Sequence, residues 1–191
     1  MKNTLATVQA LAAQSFRGMP EAASAREQFE TRLLALSRAH DVLTRENWER
    51  ADLRTIIAEV ITRFCGDGQH VQAEGPSLTL PPNMALALAM ALHELCINAC
   101  QHGALSTPDG TVAIAWTRTF NEPPHLILNW REQGRPQTSA PGQGGYGMRL
   151  LERAIRHELG GEVRLSVEGE GATCLIDVPL PHSQELCIMP A

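Results

Sequence analysis

The sequence predicts a two-layer α/β sandwich, a mixed or antiparallel sheet with helices on one face, preceded by an antiparallel helical hairpin. Three observations lead there. Residues 1–44 hold two stretches with apolar residues at helical spacing, separated by a break at Gly18 and Pro20. Residues 83–102 form a long, mostly apolar helical run that stops at Gly103. Beyond residue 110 the apolar residues alternate with period two, the mark of half-buried strands, and a single glycine-rich loop interrupts them.

In the first stretch, Leu5, Val8, Leu11 and Ala12 share one helical face, and in the second Phe29, Leu33, Leu36, His40 and Leu43 do the same. Two such helices joined by a short loop bury their stripes against each other or against a partner chain. The chain changes character after Trp48. Asp52 caps a helix from about Leu53 to Phe64, which Gly66-Asp67-Gly68 ends. Short strands are expected at 70–73 and 77–80. Pro81-Pro82 then opens the long helix, and Gly103 occupies the position where a left-handed C-cap is usual. Strands follow at 111–118 and 125–131, a loop at 132–147, a helix from about Met148 to Leu159, and strands at 162–167 and 172–178. The expected domains are therefore a hairpin at 1–48, an α/β domain at 49–181 and a tail at 182–191.

Bulk properties narrow the function. A chain of 191 residues with 43% hydrophobic and 19% charged residues can bury a normal core. A net charge of −5 argues against nucleic acid as the main partner, because such surfaces are usually basic. The longest apolar run, Met84 to Leu92, stops at His93-Glu94, so no membrane span is expected. The first residues lack a basic-then-apolar leader. Cys65, Cys96, Cys100, Cys174 and Cys187 are odd in number and widely spaced, which predicts reduced thiols and a cytoplasmic setting.

The chemistry concentrates in three places. On the long helix, Glu94, Asn98 and His102 are each four residues apart and share one face, while Cys96 and Cys100 point the other way as small core residues. An unpaired buried polar group costs about 1–3 kcal/mol. The three therefore either pair with one another and with neighbouring loops, or serve a magnesium–phosphate site. Magnesium needs only one or two protein oxygens, such as the Asn98 carbonyl, and Glu94 can orient a bound water or accept a proton. The second place is the loop GQGGYGMRL, with Gly142, Gly144, Gly145 and Gly147 directly before a helix and Arg149 in its first turn. Such a loop is either an anion cradle or an ordinary turn. The third is NWREQGRP, where a carboxylate at a strand end can accept a hydrogen bond from an exocyclic amine.

Taken together, His93-Glu94-Leu95 with Asn98 and His102-Gly103-Ala104, then Trp130-x-Glu132 with Gly134 and Pro136, then Gly145-Tyr146-Gly147, resemble the HWE subfamily of sensor histidine kinases. The similarity runs from Lys2-Asn3 to about Pro181 and includes Arg32–Asp41 on the second hairpin helix. The resemblance implies a Bergerat (GHKL-type) ATP-binding fold with a lid over the nucleotide. It implies that Asn98 binds Mg2+, that Glu94 assists phosphoryl transfer and that Glu132 contacts the adenine amine. Gly145 and Gly147 would lie along the triphosphate, with His93, His102, Gly103, Trp130, Gly134, Tyr146 and Arg149 counted with the same pocket. It further implies a homodimer through the hairpin, ATP as phosphoryl donor and a response-regulator receiver domain as acceptor. Two departures stand out. Arg135 replaces a second glycine after Gly134. The family's first helix opens His-Arg-x-Lys-Asn, so the phosphate-accepting histidine is expected just before Met1. The competing expectations are a kinase-like module that docks a response regulator without autophosphorylation, and a related ATPase or serine kinase, which needs no hairpin.

Overall fold

The computed structural model describes residues 51–65, 70–134, 146–168 and 171–181. The expected hairpin, the Gly66–Gly68 helix stop, the glycine loop up to Gly145 and the tail lie outside the described residues. The described residues begin with a two-residue strand β1 (Ala51–Asp52), helix α1 (Leu53–Cys65), strands β2 (Val71–Glu74) and β3 (Thr79–Leu80) and helix α2 (Pro82–His102). A short 3-10 helix (Ala104–Ser106), β4 (Thr111–Arg118), β5 (His125–Gln133), α3 (Tyr146–Glu158), β6 (Glu162–Glu168) and β7 (Gly171–Pro179) complete it.

Five strands form one sheet in the order β2-β4-β5-β7-β6. All neighbours are antiparallel except β2 and β4, which run parallel. The exception follows from connectivity: β2 reaches β4 through α2, and a parallel pair needs a crossover of that length. β4, β5, β6 and β7 each send every second side chain to one face. Val112, Ile114 and Trp116 align there with Leu126, Leu128 and Trp130, and with Cys174, Ile176 and Val178. Their strand neighbours point the other way: Thr111, Ala113, Asn129, Arg131 and Thr173 are exposed, and Ala115, Ile127, Leu175 and Asp177 are half-buried. The buried face packs with Leu88, Leu92, Leu95 and Ala99 of α2 and with Ile56 and Ile57 of α1 in one core.

α2 is the centre of the helical layer, in contact with both α1 and α3. By length and composition it is apolar enough to cross a membrane, but most of it is buried inside the fold, as a core helix should be. It begins as its prolines dictate, with Pro81 extended before the first turn and Pro82 inside it. Asp52 caps α1 as expected, accepting the Thr55 N–H at 3.2 Å. Its other oxygen accepts the Ser77 hydroxyl at 3.0 Å, beside the antiparallel pair β1–β3. β3 falls within the strand expected at 77–80, whereas β1 has no counterpart among the expected strands, since two residues of pairing leave no periodic signal.

Candidate functional site

The site is built where β5 ends beside the C-terminus of α2. Trp130 and Glu132 are two apart on a strand, so both side chains point to the same face, here the inward one. β5 continues to Gln133, beyond the expected end at 131, which places Glu132 within the ladder opposite Val112. Its carboxylate is 5% exposed. A carboxylate in such a position needs donors, and it has two. The Trp130 indole N–H donates to Oε1 at 3.2 Å, and the Ala104 backbone N–H donates to Oε2 at 2.9 Å. An ionised carboxylate has about four acceptor positions, so two remain for another donor.

Gly103 makes this approach possible. Its backbone is extended, with φ −108° and ψ −155°, so the expected left-handed cap is not formed. The glycine is required for a different reason: a Cβ there would lie 2.1 Å from Glu132 Oε2. Gly134 does adopt positive φ, +87°, as the chain leaves β5, and it sits against the Gly110 backbone. The Thr107 hydroxyl lies 2.9 Å from the Gly134 carbonyl and 2.8 Å from that of Ala104. Its single proton serves one of them at a time, so this hydroxyl joins the exit of β5 to the turn after α2. Cys100 lies near enough to be affected electrostatically: burial first, then the Glu132 charge, pushes its thiol pKa up.

Along α2 the polar stripe grades from core to surface. Glu94 is buried, Asn98 half-buried and His102 exposed. The burial argument made for all three residues therefore applies to Glu94 alone. His93 departs from the stripe. It is buried with its ring edge-on to Phe64 of α1 at 5.1 Å, so the structure places it in the packing between α1 and α2. Cys96 is a core residue. Tyr146, Gly147 and Arg149 lie in the opening turns of α3, which starts two residues earlier than expected and packs against α2. Gly145 lies outside the described residues. The structure thus brings Gly103, Trp130, Glu132 and Gly134 together, places Glu94, Asn98 and His102 on the adjoining helix, and sets His93 apart. Sequence reasoning missed the Ala104 N–H and the Thr107 hydroxyl. The first is a backbone group with no side-chain signature, and the second reaches a partner 27 residues away.

Among the described residues no group of three or more His, Cys, Asp or Glu side chains could hold a metal.

A mixed sheet carrying one helical layer, with a buried carboxylate at the end of a central strand, defines the class: a GHKL-type α/β domain, the fold of histidine-kinase catalytic domains. The histidine kinase domain of the Erythrobacter litoralis EL346 blue-light activated histidine kinase superposes with a TM-score of 0.62, covering 96% of this chain and 94% of that one at 17% identity. The catalytic domain of histidine kinase ThkA gives 0.52, covering 69% of this chain and 95% of that one at 15% identity. Residues 1–77 match the HWE histidine kinase family model. The chain is 33% identical over 187 residues, 97% of its length, to a blue-light-activated histidine kinase of Brucella ovis, and 32% identical over the same length to that of Brucella anthropi. The chain is thus similar to HWE-type sensor histidine kinases, and it spans 38% of the length of these relatives.

Proposed function

We propose that the chain is the ATP-binding catalytic region of a two-component sensor histidine kinase. The observation that carries this reading is the buried Glu132 carboxylate. It is fixed by donors from two different elements and keeps acceptor capacity beside the end of α2. That arrangement suits the exocyclic amine of adenine. Asn98, half-buried one turn before His102, would offer its carbonyl oxygen to Mg2+, which neutralises phosphate charge when bound. Glu94, one turn earlier, would orient a water or hold a proton. The first turn of α3, where helical N–H groups have no partner within the helix, suits the phosphates. The γ-phosphoryl would pass to a histidine on a paired N-terminal hairpin (1–48) and then to a receiver-domain aspartate of a cytoplasmic response regulator.

The test is a calorimetric titration with a non-hydrolysable ATP analogue, with and without magnesium. The parent should bind tighter than about millimolar, near −4 kcal/mol, and the magnesium-dependent part of that affinity should vanish in Asn98→Ala. An Asn98→Ala protein that retains the full magnesium effect contradicts the metal assignment. A parent that binds no nucleotide makes the chain a docking module.

A further inference from the structure

Trp130 is 1% exposed, and its strand neighbours in the ladder are Ile114 on β4 and Cys174 on β7. So enclosed a ring has almost no surface left for a ligand. Its one polar atom is nevertheless spent on Glu132, the side chain two residues along the same strand face. The second donor to that carboxylate, Ala104 N–H, comes from the turn after α2. Two donors on separate elements fix both the position and the rotation of the carboxylate plane. With Ala104 alone, the group could pivot about the Oε2 contact.

We propose that Trp130 is a positioning residue that acts through Glu132. Its indole N–H sets the direction of the remaining carboxylate lone pairs, and so the preference for a purine bearing an amino group over one bearing an oxo group. This rests on reading the pocket as an adenine site. An ionised carboxylate only accepts hydrogen bonds, so a correctly aimed one attracts an amine and repels a carbonyl. A pivoting one discriminates less.

The experiment measures binding of ATP and of inosine triphosphate, whose base carries oxo in place of amine, to the full chain with magnesium. The parent should prefer ATP, and Trp130→Phe should lower the ATP-to-inosine preference about tenfold, the size expected for a hydrogen bond to a charged group. In a Glu132→Gln background the same substitution should change the ratio no further. Should Trp130→Phe fail to fold, benzothienylalanine at position 130 keeps both rings and replaces the N–H donor by sulfur, and the same loss is expected. A parental ratio retained in either Trp130 variant overturns the positioning role while leaving the adenine reading intact. A parent that binds both nucleotides equally overturns the adenine reading itself, and the positioning role with it.

Discussion

At the scale of single residues, the site depends on one missing side chain. Gly103 allows the Glu132 carboxylate to reach Ala104 N–H, and any Cβ at 103 would collide with Oε2. Gly103→Ala should therefore weaken nucleotide binding at least about tenfold and lower stability by about 1–3 kcal/mol, as expected when extra atoms are forced into a packed region. Urea unfolding and the nucleotide titration check the two effects separately, and an unchanged affinity contradicts the role given to Gly103. That a carboxylate stands at the end of this strand was legible in the sequence, although the strand was expected to stop at 131 and the contact of Trp130 with Glu132 was not foreseen. Nor was the reason for Gly103. Its place at the end of a helical pattern suggested a left-handed turn, while the true cause is a carboxylate 29 positions further on.

At the scale of elements, the helices and most strands were legible to within about two residues, since each carries a clear period. α2 is the clearest case: two prolines start it, and its apolar circumference predicts burial on several sides. What the pattern could not supply is the depth at which each polar residue on it lies. Glu94, Asn98 and His102 look equivalent as a stripe, yet the helix emerges from the core along its length. His93, their neighbour in sequence, faces α1 instead. The start of α1 provides a prediction of its own. Asp52→Ala removes the cap on Thr55 and the acceptor for Ser77, and should cost about 1 kcal/mol, with a lower melting temperature and unchanged nucleotide affinity. A loss of affinity without a loss of stability contradicts a purely local role for Asp52.

At the scale of the whole molecule, the sandwich with helices on one face was predictable from the order of elements, but the strand order was not. β4 pairs with both β2 and β5, one parallel and one antiparallel, and nothing in the period of β2 indicates its partner. The integrity of the sheet can be followed by pH. Burial, followed by the nearby charge of Glu152, pushes the Cys174 thiol up to about 12. The unfolded chain releases this proton near the ordinary thiol value of about 8.5, so between the two values the folded state holds a proton that the unfolded state lacks. Stability from this group is complete below about pH 8.5 and is lost as pH rises toward about 12. Cys100, shifted in the same direction, adds to the slope. Urea midpoints of the parent should fall in mildly alkaline buffer, and Cys174→Ala should flatten that fall. An equally steep fall in the variant contradicts the assignment.

The most direct test of the account uses the indole N–H resonances. The chain has three tryptophans, Trp48, Trp116 and Trp130. Trp130 donates to Glu132, and Trp116 donates to the Pro76 carbonyl near the other end of β4, which makes it an internal control. Adding magnesium and a non-hydrolysable ATP analogue should move the Trp130 resonance and leave that of Trp116 in place. A saturating nucleotide that leaves Trp130 unmoved, or moves Trp116 instead, contradicts the claim that the base is read by Glu132.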